Sequence, residues 1–474
     1  MLFLSIEYIV FFPVVFLFYW VFCKRNKDLQ NGLIVIASLI FYGWWEWRFV
    51  SLLLLVAFST FITGWWMQKE GLNKKRKWIL IGTIVFNLGI LFVFKYYNFF
   101  VQFLVDAFSV FGKELTISGL KIILPVGISF YTFTALSYSI DVYQRKVPAT
   151  RDLLAYLAYV MFFPSILSGP INRAQKQLPQ YFCARKFDYV SIVNGCKLML
   201  LGGVMKLCLA DRLGVYVDSV YGNIAQHNGT TLLFTSVLYT IQIYADFAGY
   251  SLFAIGSGLL LGIDLPTNFV RPYFAKTVSE FWKRWHISLT TWFRDYIYIP
   301  LGGNKVSKAR WMLNTMTVFI VSGLWHGAAY TFLAWGALHG SCMLVEKLIY
   351  GDKIKCISDK LNVVNVLRII LTFSVVSFAW IFFRAESIGN AITIIYKIFT
   401  SRGSLFVDVD TLAYAFIFFV LIFLIDFCDE YFTGKISLIS NKNIVVRWGT
   451  YLALVVMMLL LGVLDGGSFI YFQF

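Results

Sequence analysis

Stretches without a single Asp, Glu, Lys or Arg recur along almost the whole chain. They occupy 8–23, 49–68, 78–94, 122–140, 153–172, 247–263 and 448–464, with shorter ones at 31–45, 369–383 and 411–425 and a longer one at 311–345. A helix needs about 20 apolar residues to cross a bilayer. Inside the bilayer only a helix or a closed barrel satisfies its own backbone. The pattern predicts an all-α, polytopic integral membrane protein with about ten to twelve transmembrane or re-entrant helices. Hydrophobic residues make up 59% of the 474 residues and charged residues 14%, against roughly 25% charged in a soluble domain. That excludes a disordered chain, a coiled coil and an ordinary cytosolic enzyme.

The charges lie between the apolar runs. Lys and Arg number 41 against 25 Asp and Glu. Dispersed over short loops, this excess reads as the positive-inside signal rather than a nucleic-acid footprint. Lys24, Arg25 and Lys27 follow the first run, and Lys69, Lys74, Lys75, Arg76 and Lys77 follow a later one. Both loops are expected in the cytoplasm, with the N-terminus outside. Runs 31–45 and 49–68 then form a hairpin whose tip, Trp44, Trp45, Glu46 and Trp47, is an outer interfacial anchor. Arg145, Lys146 and Arg151 mark another cytoplasmic loop. The first run lacks a basic leader and a small-residue cleavage site, so it reads as a retained span. Seven cysteines are scattered with no C-x-x-C, which argues against a disulfide framework or a zinc site. No repeat stands out, and the expectation is one integral domain over 1–474.

One segment differs. Residues 264–310 are aromatic and rich in charge, and FWKRWHISLTTW (281–292) alternates rings and cations on a helical pattern. It reads as an amphipathic helix in the cytoplasmic interface, a surface that can also receive an anionic ligand. Lys283, Arg284 and Arg294 are the candidate partners for ligand phosphates.

Histidine is the side chain most easily tuned for proton transfer near neutral pH, and there are four. His326 sits in SGLWHGAAYTF, deep in the uncharged stretch 311–345. An ionisable group at that depth is a functional candidate. Ser322, Gly323, Gly327, Ala328 and Ala329 around it would let a substrate or a helix approach closely. His339 lies 13 residues on, about −140° around an unbroken helix, so it should point away from His326 and make a structural hydrogen bond. His286 stands between an interfacial role and a ligand contact. His227, in a polar loop, reads as exposed. Gln242, Tyr244 and Asp246 are polar groups at apparent membrane depth, and Arg271 or Arg284 could pair with Asp246. Pro164, Gly169 and Pro170 should break a helix at a cavity wall. No phosphate loop, dinucleotide fingerprint or nucleophile elbow occurs.

Several strings together resemble the membrane-bound O-acyltransferase (MBOAT) family. They are LPVGISFYTFTALSYSIDVYQRK (124–146), FFPSILSGPINR (162–173), QIYADFAGYSLFAIG (242–256), the segment 268–304, GLWHGAAYTFLAWGALHG (323–340) and WIFFRA (380–385). More narrowly, the chain resembles the bacterial branch that includes the membrane subunits of alginate and peptidoglycan O-acetylation and the D-alanyl transfer protein of teichoic acids. The resemblance implies helices around a central funnel, a donor from the cytoplasm and an acceptor from outside. It implies that His326 is the catalytic histidine and His286 its companion. Acetyl-CoA is the expected donor, with no permanently bound cofactor and no metal. The resemblance also implies a polysaccharide acceptor, a separate extracytoplasmic acyltransferase partner, and a multi-pass place in the bacterial cytoplasmic membrane among its lipids. D-alanyl-type transfer to a wall polymer is the alternative. A transporter without acyl chemistry and a non-enzymatic assembly subunit are the readings from other classes.

Overall fold

The computed structural model describes residues 1, 3–70, 74–112, 117, 119–120, 122–351, 360–432 and 439–463. Residues 71–73 of the basic loop 69–77, residue 464 of the last apolar run, and Cys356 lie outside them. The described residues are helical, with no strand among them. They form two compact units, Met1–Gly195 with Ala254–Pro266, and Cys196–Phe253 with Thr267–Phe474.

The first unit is built on α1 (Ile6–Val21), α2 (Lys27–Glu46), α3 (Arg48–Lys69), α4 (Lys74–Leu91), α5 (Tyr97–Val110), α6 (Ile128–Tyr143), α7 (Leu153–Val160), α8 (Phe163–Ile166) and α9 (Ala174–Gln177). Polar residues between the apolar runs start the helices, because a side-chain oxygen can satisfy an orphan N–H of the first turn. Ser5 caps α1, Asn26 caps α2 and Asp152 caps α7. The break expected in 153–172 is present. Helix α7 stops at Val160, Pro164 opens the one-turn α8, and the chain then runs without helix. The freed carbonyl of Asn172 is not left bare: it accepts from Tyr159 Oη at 3.3 Å. Gly127 starts α6 at φ 75°, where a Cβ would stand 2.5 Å from the Ile166 carbonyl oxygen. Only glycine fits that turn.

The remaining helices are α10 (Tyr189–Gly203), α11 (Asp211–Tyr221), α12 (Gly229–Leu260), α13 (Val278–Arg284), α14 (Ile287–Phe293), α15 (Lys308–His326), α16 (Tyr330–Tyr350), α17 (Val363–Arg384), α18 (Ile388–Thr400), α19 (Val409–Tyr431) and α20 (Ile444–Leu461). A π-helical turn, Val204–Ala210, joins α10 to α11. Helix α12 is almost wholly buried, although it carries Thr235, Ser236, Thr240, Gln242 and Asp246. Helix α20 is almost wholly exposed and apolar, with Leu459 and Leu460 on the outside. Polar groups inside and apolar side chains outside invert the soluble pattern and match lipid as the surrounding medium.

Among the described residues, eight helical stretches are long and apolar enough to cross a membrane; the ten to twelve expected included re-entrant helices too short to span. Helices α1 and α18 are apolar but shorter. One spanning stretch, Tyr189–Tyr221, coincides with no charge-free run, because Lys197, Lys206 and Asp211 interrupt it. The long run 311–345 is not one helix. It turns at Gly327–Ala329 and folds back as the α15–α16 hairpin. A Cβ on Gly323 would stand 2.2 Å from the Phe332 carbonyl oxygen, and one on Gly336 2.4 Å from that of Phe319. These glycines are therefore occupied by helix contact, and the small residues beside His326 serve α16.

Candidate active site

The string FWKRWHISLTTW is two short helices rather than one amphipathic helix. Thr277 caps α13, and the Glu346 carboxylate of α16 accepts from the backbone N–H groups of Val278 at 2.6 Å and Ser279 at 3.0 Å. That carboxylate lies at the positive end of the helix. Helix α13 ends at Arg284, and His286 adopts a left-handed conformation, φ 42° and ψ 53°. A non-glycine residue there stores backbone strain, which persists only where the surroundings impose it. Asn268 imposes it here. Its carbonyl accepts from Ile287 N at 2.9 Å, and its Oδ1 accepts from Ser288 N at 3.2 Å and Ser288 Oγ at 2.6 Å.

The bend drives the rings inward. Phe281, Trp282, Trp285 and His286 are all buried. The same Asn268 Oδ1 lies 3.4 Å from His286 Nδ1. Two donors from Ser288 identify that atom as the oxygen, an acceptor only, so the contact favours the proton on Nδ1 and an Nε2 lone pair. Burial pushes the imidazole down to about 3, so His286 is neutral at physiological pH.

His326 is the last residue of α15, at the mouth of the hairpin, and it is buried. Its ring meets those of Trp325 at 4.9 Å, Trp335 at 5.1 Å and Phe383 of α17 at 5.3 Å. Trp325 also packs edge-on against His286 at 5.9 Å. The two histidines singled out in the sequence are thus brought to one tryptophan. His339 joins the same wall. It contacts Trp335 at 4.9 Å and Trp282 at 5.0 Å, and among the described residues neither of its ring nitrogens has a hydrogen-bond partner. The expected outward direction rested on an unbroken helix; the turn at Gly327–Ala329 folds His339 back to the ring that His326 touches. His227 is half-buried against Phe406.

The three candidate cations do not converge in the same way. Arg284 is held by Glu280 at 2.6 Å and by Glu430 of α19 at 2.9 Å, and Glu430 also takes Arg271 at 2.7 Å. Two guanidinium groups and two carboxylates close on each other. Lys283 is exposed, and Arg294 is exposed in a pair with Asp295 at 2.8 Å.

Asp246 pairs with neither Arg271 nor Arg284. Its partner is Lys206, whose ammonium lies 2.7 Å from Asp246 Oδ1 and 2.7 Å from Asp211 Oδ1. Sequence reasoning missed Lys206 because it sits in the apolar string VMKLCLA. The cue was the Lys–Asp spacing of five residues across a stretch otherwise apolar enough to span. The π-helical turn is itself a feature frequent at functional sites.

Residues 39–384, which include His286 and His326, match the membrane-bound O-acyltransferase family. A probable alginate O-acetylase of Pseudomonas aeruginosa is 37% identical over 386 residues, covering 81% of this chain and 71% of that protein. A peptidoglycan O-acetyltransferase of Helicobacter pylori is 31% identical over 414 residues, covering 81% and 77%. A teichoic acid D-alanyltransferase of Bacillus subtilis is 28% identical over 273 residues, covering 55% and 69%. The chain belongs to the membrane-bound O-acyltransferase family and is an enzyme of acyl transfer.

Proposed function

We propose that this enzyme moves an acetyl group from a cytoplasmic thioester, acetyl-CoA, to a hydroxyl on the outer side of the bacterial cytoplasmic membrane, for O-acetylation of a cell-surface or extracellular polysaccharide. The observation that carries the reading is His326, a buried imidazole at the turn of a helical hairpin, one tryptophan away from His286. His326 accepts the proton of the acceptor hydroxyl as its oxygen attacks the thioester carbonyl carbon. The carbon–sulfur bond breaks, and the proton passes from the imidazole to the leaving thiolate. The products are an ester and a free thiol. General-base assistance of this kind contributes about 10²–10⁴-fold. His286, neutral and fixed through Asn268, orients the reacting groups.

Lys283 and Arg294, both exposed, supply charge for the phosphates of the donor, and Arg284 holds the segment that presents them. In this reading donor and acceptor meet in a funnel, and a separate extracytoplasmic acyltransferase carries the acyl group onward. The alginate and peptidoglycan relatives support acetyl over D-alanyl transfer, because they align over more of the chain than the teichoic acid relative.

The test is a pair of variants, His326→Ala and His326→Gln, purified and scored for thiol release from acetyl-CoA with acceptor present and for melting temperature. Both should lose about 10²-fold or more in turnover, with the Gln variant melting close to the parent. Glutamine can donate a hydrogen bond but does not take a proton near neutral pH. A Gln variant with near-normal turnover would remove His326 from the mechanism.

A further inference from the structure

Arg185 is a buried guanidinium in the first unit with no ion-pair partner among the described residues. Its side chain is fixed by neutral groups only. Nε donates to Tyr19 Oη at 2.7 Å, and Nη1 donates to Asn31 Oδ1 at 2.7 Å and to the Cys183 carbonyl at 3.4 Å. Gln30 clasps the backbone of the same residue, accepting from Arg185 N at 2.8 Å and donating to its carbonyl at 3.1 Å. The guanidinium lies 5.7 Å from the Tyr19 ring centroid and 5.8 Å from that of Tyr181. Two groups here have no hydrogen-bond partner among the described residues: Arg185 Nη2 and Tyr181 Oη, both on residues more than nine-tenths buried.

A buried charge without a counter-charge is costly, and buried polar atoms are normally satisfied. Lys206, also buried, is closed by two carboxylates, and the half-buried Arg284 by two more. Here the geometry offers one edge of a guanidinium beside a phenol, a donor set suited to an oxyanion. The surroundings specify further. Tyr19 and Trp20 lie at the end of the apolar α1, Trp20 donates to the Leu260 carbonyl at 2.9 Å, and its ring meets Phe187 at 5.4 Å. Aromatic residues at the end of an apolar helix mark the headgroup level of a membrane. Lys24, Arg25 and Lys186, next in sequence to these groups, are exposed, as are Phe182 and Phe187.

We propose that Arg185 and Tyr181 form a binding site for a phosphate oxyanion, of the kind carried by an anionic phospholipid headgroup. The phosphate accepts from Nη2 and from the Tyr181 hydroxyl and supplies the charge that the protein lacks there. The exposed lysines and arginine favour a net anionic ligand, and Phe182 and Phe187 flank its acyl chains.

The full-length protein, purified in detergent, is titrated with phosphatidylglycerol, phosphatidylcholine or sodium phosphate, and its melting temperature and retained lipid are measured. Phosphatidylglycerol should raise the melting temperature saturably and be retained in native mass spectrometry, with phosphatidylcholine weaker by about ten-fold or more in half-saturating concentration. Sodium phosphate reproducing the rise, against sodium chloride, would identify free phosphate as the source of the same oxyanion. Arg185→Gln should abolish the response. Should that variant fail to fold, Tyr181→Phe, which keeps the guanidinium and its neutral partners, should still raise the half-saturating concentration several-fold. Equal responses to the two lipids, no response of the parent protein to any probe, or an unchanged response in either variant would overturn the proposal.

Discussion

Lys206 is buried between two carboxylates, whereas Arg185 is buried among a phenol, an amide and a carbonyl. In the first arrangement the cation is fully engaged: one ammonium lies 2.7 Å from each of two carboxylates. The second leaves a charge and a donor edge unused. The same contrast runs through the catalytic region. Arg284, Arg271, Glu280 and Glu430 form a closed set that holds the segment in place. The histidines lie instead in a neutral wall of rings. Ion-paired charges build the scaffold, and the groups outside such sets are the candidates for ligand contact.

The largest expected effect comes from breaking the Lys206 set. Lys206→Met leaves two carboxylates buried side by side without their cation. Removing one partner of a buried pair typically costs about 3–5 kcal/mol. Folded yield and melting temperature in detergent should fall sharply. Adding Asp211→Asn and Asp246→Asn to the Met variant should recover much of the loss, because neutral amides of the same shape replace the carboxylates. No recovery would mean that the triad is held by something other than ion pairing.

Much of the fold was legible because the bilayer imposes length and polarity on each span. Run 49–68 is α3 almost to the residue, and the break at Pro164 lies where proline chemistry requires it. His326 was legible because an ionisable residue in a 35-residue uncharged run demands a reason. What failed depended on tertiary contact. A filter for charge-free runs discards Tyr189–Tyr221, since a sequence does not show that Lys206 meets Asp246 on another helix. His339 was misdirected by a turn made of Gly327, Ala328 and Ala329, which helical periodicity alone reads through. The inward fold of FWKRWHISLTTW depends on Asn268, 18 residues before His286.

The neutral wall yields a pH prediction. Burial lowers the His286 pKa from 6.5 to about 3. The folded protein then binds fewer protons than the unfolded one between those values, so stability falls as pH drops below 6.5. One group shifted this far contributes about 2 kcal/mol of lost stability between pH 6.5 and pH 5. A unit or more above pH 6.5, roughly, the histidine is neutral in both states and the term vanishes. Thermal melts from pH 8 to pH 5 should show this slope in the parent protein, and His286→Asn should make it shallower. An equally steep slope in the Asn variant would place the titrating group elsewhere.

The smallest effect separates neighbours in sequence. Arg284 and Lys283 are adjacent cations in α13, and by composition either could meet the donor phosphates. Arg284 is engaged by two carboxylates, one from α19, whereas Lys283 points into the open. Arg284→Gln leaves Glu430 with Arg271 alone and unpairs Glu280 from its guanidinium. A half-buried pair of this kind is expected to cost about 1 kcal/mol. The melting temperature should drop by a few degrees, with turnover per folded molecule little changed. Lys283→Gln touches no such set, so its stability should stay within about 0.5 kcal/mol of the parent. If Lys283 meets the donor, its loss raises KM for acetyl-CoA more than it lowers kcat, the mark of binding that is equal in ground and transition states. The two variants should thus fail in opposite assays. An Arg284 variant of normal stability with a raised KM would show that its closed set opens to admit the donor.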